Sequence, residues 1–259
     1  MVLNDRLVTP PNIQAGANKS GDEQSLEEEL CDMFENCPVP REQMLENLGL
    51  FLTARNFSRI FFMHHIYQQI VDVPGVVMDF GTRWGHNMAL FATFRGMYDP
   101  FHRHRKLVAF DTFAGFPSVA PQDGTSSLMK VGNRSVTADY KEYLNRLMEI
   151  HEGLNPLGHI RKFELVAGDA SDTVPTYLDE NPETVVALAY FDFDLYEPTK
   201  KCLEAILPRL VKGSVLGFDE LNDHGAPGET WAVMESVGLN YIRLKRFPYA
   251  SRATYYVLE

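Results

Sequence analysis

The chain is short of cysteine, of basic charge and of long apolar runs. Three cysteines in 259 residues, Cys31, Cys37 and Cys202, are an odd and sparse set. They exclude a disulfide framework and read as reduced thiols in a cytoplasmic protein. Lysine and arginine together number 24 against 35 acidic residues, a formal net charge of −11. That balance argues against a nucleic-acid partner held by phosphate neutralisation. No apolar run approaches the roughly 18 residues a membrane span needs, so no membrane partner is expected. The longest strong run, Val185 to Phe191, suits a buried strand. The N-terminus, MVLNDRLVTPPN, lacks the charged-then-apolar pattern of a signal peptide. What remains is ordinary: 45% hydrophobic and 23% charged residues, as in globular domains and unlike disordered, collagenous or coiled-coil chains.

The acidity is unevenly spread. Residues 1–50 hold ten acidic residues against Arg6, Lys19 and Arg41, a net of −7, which leaves −4 for residues 51–259. Residues 10–25 contain Pro, Gly and Ser without periodicity and are expected to be mobile. Ser25 and Glu28 form a capping-box pattern ahead of Leu26, Leu30, Met33 and Phe34, which predicts a short acidic helix. Such a helix is a solvated one with one packed apolar edge, a flap over a site, or an oligomer contact. Residues 1–54 are therefore set apart as an acidic helical or mobile segment, with residues 55–259 as the main domain. No repeat at solenoid spacing is present.

From about residue 55 helical and strand patterns alternate. Phe57 to Val71, His86 to Tyr98, Thr137 to His151 and Thr199 to Leu210 carry apolar residues at helical spacing. Val76 to Phe80, Lys106 to Phe110, Phe163 to Ala167, Val185 to Phe191 and Ser214 to Phe218 are short apolar runs. Tyr241 to Phe247 and Ala253 to Leu258 read as strands turned at Pro248 to Arg252. Uniformly apolar strands separated by helices imply an α/β fold whose parallel sheet is covered on both faces. Ligands bind such sheets at the carboxyl ends of the strands. Asp79, Asp111, Asp169, Asp192, Asp194, Asp219 and Glu220 all sit at those ends, so a site is expected there.

The first strand runs into Asp79-Phe80-Gly81-Thr82-Arg83-Trp84-Gly85. Glycine lets the backbone turn sharply beside a ligand, and the next helix offers free N–H groups. Residue 83 is Arg where a dinucleotide fingerprint needs glycine, so NAD is disfavoured. Asp111 is placed to accept from the cis hydroxyls of a ribose, and Asp169 to meet an adenine amino group. Together these positions fit an adenosyl ligand without a pyrophosphate, for which S-adenosylmethionine is the obvious candidate. A tight turn and solvent-facing loop aspartates are the alternative reading of each feature. The candidate cofactor set is Asp79, Gly81, Thr82, Gly85, Asp111, Thr112, Asp169, Ala170 and Asp192.

Asp192 and Asp194 flank Phe193, and in a regular strand both would face one side. Asp219 and Glu220 end the next strand. If the two strands are neighbours, four carboxylates share one crevice, which is costly unless compensated. A hard divalent cation with oxygen ligands resolves the conflict. Ion pairs to Lys200, Lys201 or arginines are the alternative.

The stretches MDFGTRWGHN (78–87), FDTFAGFP (110–117), GDASDTVP (168–175), FDFDLYEPT (191–199) and LPRLVKGSVLGFDEL (207–221) resemble the macrocin-type (TylF-like) sugar O-methyltransferases. The resemblance implies a class I methyltransferase (Rossmann-like) fold. That fold has a mostly parallel seven-stranded sheet ending in an antiparallel hairpin, with helices on both faces. It also implies a divalent metal, Mg²⁺ or another cation, held by Asp192, Asp219 and the residue at 220. The family's second Asp of that last pair is Glu220 here. Asp194 matches the position of the general base. His224, on a loop five residues past Asp219, is a rival base or a plain surface residue.

Weaker signals complete the reading. His64 and His65 are adjacent on a helix and point apart, so no paired metal site is expected. His102-Arg103-His104-Arg105-Lys106 reads as a solvated basic loop, with a phosphate contact as the lesser reading. Met63, Met88 and Met97 read as core. Trp84 packs either on the cofactor or on the protein. Residues 115–136 form a long irregular link able to cover the cleft. The function this supports is an S-adenosylmethionine- and metal-dependent O-methyltransferase. Its partner would be a small-molecule sugar, as nucleotide-sugar or glycoside, in antibiotic biosynthesis, and the enzyme would be a homo-oligomer. The alternatives are a catechol-like substrate and a non-catalytic cofactor-binding assembly protein.

Overall fold

The computed structural model describes residues 21–259 apart from Ser251. Of the segment expected to be mobile, residues 10–20 lie outside the described residues. Residues 21–25 are instead the first turn of a helix, α1 (Gly21–Glu35), so Ser25 lies inside that helix and not at its cap. Helix α2 (Ala54–Gln68) begins at Thr53, whose backbone N–H donates to the Asn56 side chain. This capping box satisfies end groups the helix leaves unpaired.

The sheet consists of β1 (Val76–Phe80), β2 (Leu107–Asp111), β3 (Phe163–Ala167), β4 (Val186–Phe191), β5 (Leu210–Phe218), β6 (Lys245–Arg246) and β7 (Thr254–Val257). Their order is β3-β2-β1-β4-β5-β7-β6. The first five are parallel, and β7 pairs antiparallel with both β5 and β6. Of the predicted strand Tyr241 to Phe247 only Lys245 and Arg246 are in the sheet. The predicted neighbourhood of β4 and β5 holds, with Phe191 opposite Phe218.

Helices α2, α3 (His86–Tyr98) and α4 (Tyr140–Leu154) cover one face, packing Phe62, Phe91 and Leu144 against Val77, Ala109 and Tyr190. Helices α5 (Ala170–Glu180), α6 (Tyr196–Ile206) and α7 (Gly228–Ser236) cover the other with Val174, Leu203 and Val233. All six residues of β4 are buried, as a central strand covered on both faces requires. Helices α5 and α7 have no counterpart in the periodicity reading. Helix α5 carries Pro175 and six Ser, Thr, Asp or Glu residues, and α7 has only nine residues, so neither shows a long apolar stripe. No helix among the described residues is long and apolar enough to cross a membrane.

At the amino ends of the strands the basic run is not a solvated loop throughout. Arg105 is fully buried and donates to the carbonyls of Ile70, Val73 and Gly75 and to Asp99. Burying a guanidinium is tolerable because its donors are consumed in this way. Fully buried, it is closed to a phosphate in solvent.

Candidate active site

The β1–α3 turn is built around close approach. Gly81 has φ 84°, and a Cβ there would lie 2.1 Å from the carbonyl oxygen of Asp192. Only glycine lets the loop lie against the end of β4. Asp79, fully buried, accepts from the Asn87 side chain (3.1 Å) and the Thr82 hydroxyl. Burial pushes its carboxyl up to about 6, against those two hydrogen bonds. Asp111 accepts the backbone N–H of Arg83 (2.7 Å) on one oxygen and that of Phe113 (2.6 Å) on the other. Each oxygen keeps a second lone pair, which is what a vicinal diol needs. Burial raises this carboxyl also.

Thr112 donates to the carbonyl of Gly115 and shapes the start of the irregular link. Asp169 is the N-cap of α5, accepting from the Ser171 N–H (2.9 Å), and Ala170 is the first, buried residue of that helix. The Trp84 ring packs edge-on against Tyr140, with centroids 4.7 Å apart. Gly85, with φ 76°, opens α3. The candidate cofactor residues thus line consecutive strand ends β1, β2 and β3, together with Asp192 at the end of β4. His64 and His65 point apart as expected, one bonding Tyr98 and the other Tyr255.

The acids beyond β4 and β5 converge. Asp192, Asp194 and Glu220 each present an oxygen within 4.8 Å of the other two. Asp194 is buried, has φ 61°, and accepts from Arg134 Nε at 3.0 Å. Asp219 is engaged differently, by Arg59, by the Tyr190 hydroxyl (2.7 Å) and more distantly by Arg252. Burial alone would raise Asp219, but Arg59 and these bonds hold it at about 2. Asp192 is pushed up to about 7 by burial and by Asp219, despite Arg59 at 2.5 Å. Glu220 is pushed well above the carboxylate range by burial and by Asp194, and its buried Oε2 has no hydrogen-bond partner among the described residues. His224 is exposed on the bend after β5 and does not share this environment.

Several residues of the site carry no signal in the sequence reading. Glu229, in the first turn of α7, is fully buried and accepts the backbone N–H groups of Phe193 and Glu220, both at 3.2 Å. It ties the two strand ends together, and burial holds it well above the carboxylate range. Pro227-Gly228-Glu229 ahead of an apolar run was the available hint, an acid in a helix's first turn. Arg59, Arg134 and Arg252 come from three distant segments, and only folding reveals their common target. They pair with Asp192, Asp194, Asp219 and Glu220, the four acids beyond β4 and β5. The orphaned Glu220 oxygen and the all-oxygen donor set fit a hard divalent cation. Of the alternative ion-pair reading, the arginine part is observed at the cluster, whereas Lys200 pairs with Glu235 instead.

The irregular link from Thr112 to Asp139 is anchored over this edge. Phe116 and Met129 pack with Leu195 and Ala226, and Asp123 accepts the N–H of Tyr196 (2.6 Å).

Known proteins resemble this chain in sequence and fold. The family model of TylF, macrocin-O-methyltransferase, matches residues 55–235. The crystal structure of CalS11, the calicheamicin methyltransferase, superposes with a TM-score of 0.91 at 40% identity, covering 96% of this chain and 98% of that one. A structure of CalS11 without ligand, described as a TDP-rhamnose 3′-O-methyltransferase of calicheamicin biosynthesis, gives 0.82 at 39% identity over 93% and 96% of the two chains. The O-methyltransferase NovP, at 18% identity and a TM-score of 0.60 over 92% and 99%, shares the class I methyltransferase fold. No curated protein sequence matches. With the family model spanning most of its length, and the strand-end site in place, the chain belongs to the TylF macrocin-O-methyltransferase family.

Proposed function

We propose that the protein transfers the methyl group of S-adenosylmethionine to a hydroxyl of a deoxysugar in antibiotic biosynthesis, with a divalent cation, Mg²⁺ by its ligand chemistry, at the carboxylate cluster. The observation that carries this reading is the convergence of Asp192, Asp194 and Glu220, one Glu220 oxygen orphaned, beside the β1–α3 turn. The family match and the 40% identity to CalS11 support the sugar and the biosynthetic setting.

Asp192 and Glu220 of that cluster would hold the cation together with Asp219, which Arg59 joins to Asp192, and Asp111 and Asp169 the ribose and adenine of the methyl donor. When bound, the donor supplies an electrophilic methyl group and the cation acidifies a nearby hydroxyl. Asp194 accepts the hydroxyl proton on a carboxylate oxygen. Arg134, on the other oxygen, orients it, and among the described residues no other group donates to Asp194. A base must stand within hydrogen-bond reach of its proton, and a buried carboxylate in the cluster meets that better than His224 on its exposed bend. Phe116, Met129 and Leu195 exclude water from the same edge. The enzyme in this reading is cytoplasmic, consistent with three free cysteines. It is also a homo-oligomer: α1 buries none of its residues and leaves Leu26, Met33 and Phe34 exposed, an edge that a second copy would cover.

The test is transfer of isotope-labelled methyl to a panel of nucleotide-linked deoxyhexoses and finished glycosides, read by the labelled carbon. Label on a sugar oxygen, abolished by EDTA and restored by Mg²⁺, is expected. Undiminished transfer in excess chelator overturns the cation's role, and turnover of catechols alone overturns the sugar.

A further inference from the structure

Arg59 stands where two cation ligands meet. From α2 its Nη1 contacts Asp219 Oδ1, and its Nη2 lies 2.5 Å from Asp192 Oδ2. The same guanidinium lies 5.0 Å over the ring of Tyr190, whose hydroxyl donates to the oxygen of Asp219 that Nη1 engages. One oxygen from the end of β4 and one from the end of β5 are thus bridged by a single planar cation, the geometry for which arginine is suited. A divalent ion shared by Asp192 and Asp219 needs lone pairs on the facing oxygens, and like charges at contact distance repel. The two cations compete for one place.

Arg59 has somewhere to go. Its Nε and Nη2 lie 3.3 and 3.2 Å from Asn87 Oδ1, a neutral acceptor beside the two carboxylates. The Asn87 side chain is itself fixed, because its Nδ2 donates to Asp79. Rotation about the long arginine side chain can give up the carboxylates while keeping the carboxamide.

We infer that Arg59 is a built-in placeholder for the divalent cation: its guanidinium holds Asp192 and Asp219 together and is displaced from them when the ion binds. The inference rests on the cation-dependent reading of the site. It makes Arg59 a positioning residue that sets cation affinity, and it explains why two strand-end acids are tolerated side by side.

Cation binding to the full chain tests it directly. Mn²⁺ is titrated into the wild type, Arg59→Gln and Arg59→Lys, with free Mn²⁺ read by electron paramagnetic resonance, and Mg²⁺ is titrated by calorimetry. Arg59→Gln is expected to bind Mn²⁺ about tenfold more tightly than the wild type, within the usual range of coupling between two sites. Its melting temperature should also rise more on saturation. Arg59→Lys, which keeps the charge but loses the two-pronged bridge, should fall between. Should Arg59→Gln fail to fold, Arg59→Lys decides the matter by the same criterion. Equal or weaker binding in the variants overturns the placeholder while leaving the cation reading intact. Failure of all three proteins to take up either ion overturns the cation reading itself.

Discussion

Gly81 lies against the carbonyl of Asp192, so close that any side chain at 81 would collide with the backbone of the residue that leads into the acidic cluster. The turn that faces the expected methyl donor and the strand end that carries the expected cation ligands therefore share one wall. Donor and acceptor hydroxyl have to meet within a bond's length, and this contact is how the fold brings their two subsites together.

Gly81→Ala tests that wall. The left-handed φ and the 2.1 Å approach to backbone both oppose a Cβ, and neither is relieved by turning a side chain. The variant should lose about 2 kcal/mol or more of stability in urea unfolding, in the range of a strained backbone position. Calorimetry should show at least about tenfold weaker donor binding, a loss of roughly 1.4 kcal/mol. Wild-type affinity in the variant would mean that the loop does not touch the donor.

Asp194→Asn separates chemistry from binding. The carboxamide is nearly isosteric and its oxygen still accepts from Arg134, but it takes up no proton. Loss of a positioned base costs about 10²–10⁴ in kcat. Donor affinity should stay within about twofold, since Asp111 and Asp169 lie on other strands. A near-normal kcat would remove Asp194 as the base and turn attention to His224.

Arg105→Met probes the opposite end of the sheet. The substitution strips a fully buried guanidinium from three carbonyls and leaves Asp99 without its arginine. Removing one partner of a buried ion pair costs about 3–5 kcal/mol. Urea midpoints should fall accordingly, while KM for donor and sugar, measured on folded protein, stays unchanged. An altered KM with unchanged stability would bring back the phosphate contact for this basic run.

Much of this was legible in the sequence, and what was not has a physical reason. Helix α3 and strand β3 begin and end where the pattern places them, because Gly85 and Gly168-Asp169 punctuate the apolar patterns. The strand-end acids were legible because parallel strands place successive carboxyl termini on one edge. Arg59 was not: it occupies an ordinary polar position in the sequence of α2, and its partners lie 133 and 160 residues away. Glu229 was hidden in a nine-residue helix too short for a periodic stripe. Arg105 was misread as solvated because its neighbours are basic, whereas burial follows from the carbonyls that surround it and not from local composition.

The pH dependence of donor binding should be set by Asp79. Its carboxyl, ordinarily near 3.8, is held at about 6 in the folded protein by burial. The folded state therefore holds a proton that the unfolded state has released between about pH 4 and 6, and stability falls with rising pH across that window and is level above it. Two units correspond to about 3 kcal/mol. Asp79→Asn carries no such proton and keeps the Asn87 contact, so the wild type should lose about that much relative to the variant between pH 4 and 7, read by urea unfolding at each pH. A methyl donor carrying a sulfonium favours the ionised carboxylate. Its affinity for the wild type should accordingly rise through about pH 6, with a proton released on binding, while the variant's affinity stays flat. A wild type and variant that track each other across the whole range would mean that Asp79 is ionised throughout and that its burial is compensated by Thr82 and Asn87 alone.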